Sequence, residues 1–170
     1  MTAYVVLLRA INVLGSGKLP MAQLKTICEN AGFHSVRTYI ASGNVVFQSS
    51  KKEAQVRAQL HAPIAAVLGK PAGIFVRTAE QMAAVLAANP FPHKPGDRTV
   101  AFFLNDPPSP DAHINVFNHA GEELHLGLRE IYVHYPDGIG QSRIKIPAAL
   151  PGTARNMNTI AKLAELAAAL

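Results

Sequence analysis

The chain has 170 residues, of which 49% are hydrophobic, which is enough for one medium-sized core or two small ones. The 16 lysines and arginines outnumber the 11 acidic residues, and the net charge of +5 favours encounters with phosphates and nucleic acids. The apolar runs are shorter than the roughly 20 residues of a membrane span, no export signal is recognisable, and the single cysteine, Cys28, excludes an internal disulfide. We therefore expect a cytoplasmic protein.

The first half of the chain alternates short apolar runs with residues at helical spacing. The predicted elements are a strand at 4–9, a helix from Pro20 to Gly32, a hairpin of strands 36–40 and 44–48, a helix opened by a capping box from Ser50 to Glu53, a strand at 73–77 and a helix at 79–88.

The second half, after a connector rich in proline and glycine at 90–96, repeats much of this order. The predicted elements are a strand at 99–104, a helix at 110–117, a hairpin of strands 122–126 and 131–135, a short segment at 143–150, a strand at 152–155 and a helix at 156–170.

A strand, a helix, two strands, a helix and a strand form the β-α-β-β-α-β pattern of a ferredoxin-like sandwich. The sequence thus predicts an α+β fold made of two ferredoxin-like units in tandem, an internal duplication, at 1–90 and 91–170. The second unit is expected to be either incomplete or completed by an edge of the first.

Three segments carry a resemblance to a known family: LLRAINVLGSGKLPMAQL at 7–24, TYIASGNVVF at 38–47 and TARNMNTIAKL at 153–163. With NPF at 89–91, YVHYP at 132–136 and GQSR at 140–143, the chain resembles the bacterial family catalogued as domain of unknown function 1697. The resemblance implies two ferredoxin-like units and no established activity. The characteristic polar positions that it implies are Arg9, Asn12, Lys18, Ser42, Gly43, Asn44, Thr153, Arg155, Asn156, Asn158 and Thr159.

The chain departs from the family pattern at four positions. The family usually has glycine at the positions of Ala10 and Leu14, glutamine at Ala41 and tryptophan at Met157. The loss of two glycines disfavours a close approach of the backbone to a ligand at the first loop.

The loop after the first predicted strand combines positive charge with exposed backbone amides. Gly15 and Gly17 would expose amides, Lys18 adds a point charge, and the next helix presents its positive N-terminal end. The loop is not a Walker A motif, because Asn12 and Leu19 stand where that motif needs a glycine and a hydroxyl residue. The structural alternative is an ordinary turn, with Asn12 bonded to backbone and Arg9 paired with a carboxylate.

From these loops we expect a binding protein that holds a phosphorylated small molecule or nucleotide between the two units. The predicted ligand-binding residues are Arg9, Asn12, Lys18, Ser42, Asn44, Arg155, Asn156 and Asn158. Each group has a structural alternative: helix capping for the two C-terminal asparagines, a tight turn for 42–44 and an ion pair between the units for Arg155. No cofactor and no metal site are predicted.

Three other functions stay open. Backbone-directed nucleic-acid binding would use Arg9, Lys18, Arg37 and Arg155. An enzyme would use His125 or His134 with Glu123 on the second hairpin. Exposed strand edges make a homodimer plausible.

Overall fold

The computed structural model describes residues 1–9, 11–12 and 18–170. Over these residues the protein is a mixed α+β structure with two four-stranded antiparallel sheets and four α-helices. The chain divides into two compact units, Met1–Ala83 with Lys162–Leu170, and Ala84–Ala161. This division differs from 1–90 and 91–170, because it falls inside a helix and groups the C-terminal residues with the first unit.

The first unit contains a sheet and the helices that pack on it. Its elements are β1 (Thr2–Leu8), α1 (Met21–Asn30), β2 (His34–Thr38), β3 (Asn44–Ser49), α2 (Glu53–Leu68), β4 (Ile74–Thr78) and the start of α3 (Ala79–Ala87). The strand order is β2-β3-β1-β4. β1 lies in the interior of the sheet, and its apolar residues from Val5 to Leu8 are fully buried, so both faces of this strand are covered.

The core of the first unit lies on one face of this sheet. Val6 and Phe47 from the strands pack with Leu24 of α1 and Ile64 of α2, and Phe33 stacks on Phe47 with ring centroids 4.3 Å apart. On this face, α1 packs on β2 and α2 packs on β4.

The second unit has the sheet order β6-β7-β5-β8. Its elements are β5 (Thr99–Phe103), β6 (Glu123–Leu126), β7 (Glu130–His134), β8 (Thr153–Asn156) and the start of α4 (Met157–Ala168). Its hydrophobic core contains Val100, Leu104, Ile131, Val133 and Tyr135. Loops and single 3₁₀ turns, such as Ile139–Gln141, connect these strands.

All eight predicted strands are present, with ends within two residues of the expected ones. The predicted α+β class is confirmed. The predicted helix at 110–117 is wrong, since this segment forms turns and one isolated bridge at Phe117. The Asp111 carbonyl accepts the amides of Ile114 and Asn115, after which Phe117 pairs with Lys145 through two backbone bonds of 2.9 and 2.8 Å. That bridge to a distant segment requires extended backbone, which overrides the helical spacing.

The predicted capping box is displaced by two residues. Lys52, not Ser50, is the N-cap of α2, and its amide donates to Oε1 of Gln55 at 3.0 Å. The Ser49 hydroxyl accepts the amide of Lys51 at 3.1 Å, which fixes the turn before the helix.

No helix within the described residues is both long enough and apolar enough to cross a membrane.

Candidate functional site

Three loops meet at one end of the first sheet, because β1 ends where β3 and β4 begin. The amide of Leu8 donates to the carbonyl of Gly43 at 2.9 Å, and the amide of Arg9 donates to that of Gly73 at 3.0 Å. Leu8 and Arg9 are therefore held beside the β2–β3 turn and the segment before β4.

The Asn12 side chain forms hydrogen bonds with backbone groups of Leu19 and Ala41. Its Oδ1 accepts the amide of Leu19 at 2.7 Å, and its Nδ2 donates to the carbonyls of Leu19 at 2.8 Å and Ala41 at 2.9 Å. Its φ of 55° lies in the left-handed region, which asparagine tolerates better than most residues. The side chain thus holds backbone in place, as the structural alternative for this residue expects.

Ser42 and Asn44 form part of the β2–β3 turn. Nδ2 of the fully buried Asn44 donates to the carbonyl of Tyr39 at 3.0 Å and to Oγ of Ser42 at 2.8 Å. Between them Gly43 has a φ of 86°, and an added Cβ would lie 2.7 to 2.9 Å from atoms of Ile11 and Leu8. These residues shape the turn that abuts the first loop.

Arg9 and Lys18 are exposed at the two ends of the loop. Within the described part of the chain neither side chain forms an ion pair with a carboxylate. Helix α1 begins after Pro20, without a side-chain cap and without an acidic residue in its first turn. Gly15 and Gly17, whose amides the sequence interpretation invoked, lie outside the described residues.

The C-terminal predicted residues belong to the second unit. Arg155 is 8% exposed, and its Nη1 donates to Oγ1 of Thr153 at 2.7 Å and to the carbonyl of Ala154 at 2.9 Å. Burial lowers the pKa of this guanidinium to about 10. Oδ1 of Asn156 accepts the amide of Thr159 at 2.9 Å and so acts as a helix cap.

Asn158 follows at the start of the same helix and is exposed. A Cβ at Gly96 would lie 2.2 Å from its Oδ1, so the Asn158 side chain packs directly against this glycine. The structure thus brings the C-terminal predicted residues close to one another, with Arg155 and Asn156 engaged in local contacts.

The two histidines of the second hairpin differ in exposure. Glu123 lies opposite His134, and His125 lies opposite Tyr132, as the predicted alternation requires. His134 is 5% exposed, and its Nδ1 lies 3.2 Å from Oγ1 of Thr99. Burial makes His134 a poor candidate for acid–base chemistry with an external substrate, whereas His125 and Glu123 are exposed, and an enzyme role of this hairpin stays a prediction.

A cavity of about 470 Å³ in the second unit was missed by the sequence interpretation. Its lining mixes polar and apolar surface and comes from the loop before β6, the end of β7 and the 3₁₀ turn that follows. The lining residues are Asn118, His119, Ala120, Glu122, Tyr135, Pro136, Asp137, Gly138, Gln141, Ser142 and Arg143.

Glu122 is the most buried carboxylate of this lining, at 5% exposure. Its Oε1 accepts the hydroxyl of Ser142 at 2.6 Å, and its Oε2 accepts the amide of Ala120 at 2.6 Å. The bond from Ser142 is the main cause that lowers the pKa of Glu122, with the Ala120 amide second. Burial, with a smaller effect of the Glu122 charge, raises the pKa of Tyr135 to about 12, so its hydroxyl stays protonated at neutral pH.

Two sequence signals point to this cavity in retrospect. The segments 132–136 and 140–143, quoted for the family resemblance, supply five of its eleven lining residues. The loops also contain three left-handed residues, Asn118, Gly121 and Gly138, with φ values of 56°, 89° and 86°. Neither signal indicates which side chains are in contact, because these contacts depend on how loops distant in sequence come together in the fold.

In the described residues, no group of three or more histidine, cysteine, aspartate or glutamate side chains is arranged to hold a metal ion.

Comparison with known proteins places this chain in a family. A solved structure of a conserved bacterial protein from Streptococcus pneumoniae is similar to it, with a TM-score of 0.79, 25% identity and 98% of each chain covered. No curated protein matches the chain. The model of DUF1697, described as a protein of unknown function, matches residues 1–132. The chain therefore belongs to the DUF1697 family.

Proposed function

We propose that the protein binds a phosphorylated small molecule or nucleotide, and that Arg9 and Lys18 of the first unit make the main charged contacts. One observation supports this most directly. The exposed guanidinium of Arg9 has no carboxylate partner within the described residues, on backbone that its neighbours hold in place.

The backbone at Arg9 is well fixed. Its amide donates to the Gly73 carbonyl at 3.0 Å, and a Cβ at Gly73 would lie 2.9 Å from Cβ of Arg9. Only glycine permits this approach, so β1 and the start of β4 are held together at the base of the side chain. A side chain that starts from a fixed point loses less entropy when it contacts a ligand.

The ligand class follows from the types of charge. The planar guanidinium of Arg9 matches two oxygens of a phosphate, and Lys18 supplies a compact positive charge. The amides at the start of α1 add a partial positive charge that no acidic residue of its first turn offsets. A dianionic phosphate would interact favourably with all three positive groups, the guanidinium, the ammonium and the helix amides.

The other predicted residues enter this proposal in different roles. Asn12, Ser42 and Asn44 hold the loops by hydrogen bonds, so we assign them to support of the site. That Arg155, Asn156 and Asn158 contact the same ligand, and that it lies between the units, stay predictions.

The test is a calorimetric and NMR titration with inorganic phosphate, ribose 5-phosphate and ADP. Arg9→Ala and Lys18→Ala should each weaken binding about tenfold, the loss of one charged hydrogen bond. Arg37→Ala removes an exposed arginine from β2 and serves as the matched control, with no change expected. Absence of binding by all three ligands, or an affinity that Arg9→Ala leaves unchanged, would refute the proposal.

Backbone-directed nucleic-acid binding is the second candidate, favoured by exposure of Arg9, Lys18 and Arg37. Base stacking on the third strand is not favoured, because Phe47 is fully buried in the core. In this case Arg37→Ala would weaken binding as much as Arg9→Ala, and affinity would fall steeply between about 50 and 200 mM salt.

We further propose that the two units are ferredoxin-like. The orders β2-β3-β1-β4 and β6-β7-β5-β8 are the same when strands are numbered within each unit, which supports an internal duplication. The single buried Cys28 fits a cytoplasmic setting.

A further inference from the structure

The cavity of the second unit contains charged groups without opposite partners. Glu122, Asp137 and Arg143 all line it, and in the described part of the chain none of them forms an ion pair. Glu122 accepts hydrogen bonds from neutral donors, the Ser142 hydroxyl and the Ala120 amide, and the charge of His119 has the smallest effect on its pKa. The bonds from both donors lower its pKa, so the carboxylate is charged at neutral pH.

Exposure decides which of these charges would gain most from a partner. Asp137 and Arg143 are exposed, and water solvates their charges at little cost. Glu122 is only 5% exposed, and a buried carboxylate that lacks a positive partner has lost solvation without gaining an ion pair. A ligand with a cationic group would therefore be favoured at Glu122.

The surrounding groups suit such a ligand. The Tyr135 hydroxyl remains protonated and can accept a bond from an ammonium or guanidinium N–H. Nε2 of His119 lies 2.6 Å from the Glu122 carbonyl, so this nitrogen is bound to backbone, and the histidine has only a minor electrostatic effect on the carboxylate. The nearby Arg98 is also engaged, since its Nη1 donates to the carbonyl of Pro136. The volume of about 470 Å³ is that of a site for a small molecule.

We propose that this cavity is a second binding site, which takes a small molecule carrying an ammonium or guanidinium group, with the Glu122 carboxylate as its counter-charge. The site is independent of the phosphate site proposed for the first unit, as its residues all lie within 118–143.

NMR titration with methylguanidine tests the proposal, and methylurea is the neutral probe of the same shape. Methylguanidine, but not methylurea, should give saturable shifts in the amides of Ala120, Glu122 and Ser142. Glu122→Gln keeps the side-chain size but removes the charge, and should weaken binding about tenfold or more. Glu123→Gln, which removes an exposed charge from the neighbouring residue, should leave the affinity unchanged.

Two further variants make the result decisive if Glu122→Gln disturbs folding. Arg143→Gln removes from the lining a positive charge that repels the positively charged methylguanidine. This probe should therefore bind to the variant at least as tightly as to the wild type. Gln141→Trp places a large side chain at an exposed lining position and should abolish the shifts. Absence of saturable shifts in the wild type, or unchanged affinity in Glu122→Gln or Gln141→Trp, would overturn the proposal.

Discussion

Ser142 donates a 2.6 Å hydrogen bond to Glu122 across a sequence separation of 20 residues. The same hydroxyl accepts the amide of Ile144 at 3.2 Å, so both its donor and an acceptor position are used. This one side chain therefore links the loop before β6 to the segment after β7, and both segments line the cavity.

Ser142→Ala should raise the pKa of Glu122 toward its usual value, because it removes the main cause of the lowering. A carboxyl whose pKa is lowered on folding adds stability above its unfolded pKa of about 4.3, and that contribution is lost as pH falls through the folded pKa. The variant should thus be less stable than the wild type at pH 7 by about 1 kcal/mol. The difference should shrink in acid.

Carbon-13 NMR of the Glu122 carboxyl measures the pKa, and urea unfolding at several pH values measures the stability. Ser50→Ala, at an exposed serine before α2, is the control and should show no such pH dependence. An unchanged pKa in Ser142→Ala would mean that this bond does not hold the carboxylate in its charged form.

Gly43→Ala should be far more destabilising than Gly32→Ala, although the two glycines have nearly equal φ values of 86° and 84°. A Cβ at Gly43 would lie within 2.9 Å of atoms in Ile11 and Leu8, whereas a Cβ at Gly32 meets nothing within 4 Å. The backbone term of about 1–2 kcal/mol is common to both variants, and overpacking adds about 1–3 kcal/mol at Gly43 alone. Chemical unfolding of the two variants measures the loss in the free energy of unfolding and separates the two terms. Equal losses would contradict the close packing at Gly43.

The strands were predictable because burial leaves continuous apolar or alternating patterns, as at 99–104 and in the second hairpin. The predicted helix at 110–117 failed because the pairing of Phe117 with Lys145 is decided by a segment far along the chain. The cavity was missed for the same reason, because its walls come from segments that are distant in the sequence. Glu122 reads as the start of a strand, and nothing local in the sequence shows that Ser142 binds it.

For the first loop, the sequence indicated the important residues but not their roles. The left-handed φ of Asn12 and its bonds to Leu19 and Ala41 depend on three segments meeting, which spacing alone does not reveal. Arg155 looked like a ligand contact because its residue type suits one, and only the fold shows that the side chain is buried.

Tyr132→Phe should destabilise the second unit by about 2 kcal/mol. The Tyr132 hydroxyl donates at 2.7 Å to the Val85 carbonyl, near the C-terminal end of α3. Phenylalanine fills the same space but leaves that buried carbonyl without this donor. Burial also raises the pKa of Tyr132, with the Glu130 charge second, so the hydroxyl can donate at any ordinary pH.

Tyr135→Phe is the matched control, because the Tyr135 hydroxyl lines the open cavity and forms no hydrogen bond with the described residues. Its free energy of unfolding should stay close to that of the wild type. Equal effects of the two substitutions would show that the bond to Val85 adds nothing.

Cys28 should be inert in the native protein. Its side chain is fully buried, and burial, followed by the charge of Glu29, raises the pKa of the thiol to about 12. At pH 8 only about one thiol in ten thousand would be ionised, and the thiolate is the reactive form. Iodoacetamide should label Cys28 in urea but not in buffer, while a cysteine introduced by Ser50→Cys should react in both. Rapid native labelling of Cys28 would mean that α1 opens easily.

The variants Asn12→Ala and Asn12→Asp test whether the hydrogen bonds of this side chain to Leu19 and Ala41 stabilise the protein. Alanine loses the three hydrogen bonds and places a residue without a polar side chain at a φ of 55°, so we expect a loss of about 2 kcal/mol. Aspartate can still accept the Leu19 amide, but at pH 7 its second oxygen would face the carbonyls of Leu19 and Ala41. It should therefore be at least as destabilised as alanine at pH 7 and recover when acid protonates the carboxylate.

Urea unfolding at pH 7 and pH 4 measures both effects, with Asn30→Ala, at an exposed asparagine in the last turn of α1, as the control. If the loop must be ordered to present Arg9 and Lys18, both Asn12 variants should also weaken phosphate binding in proportion to their loss of stability. An aspartate variant as stable as the wild type at pH 7 would show that donation to the two carbonyls does not hold the loop.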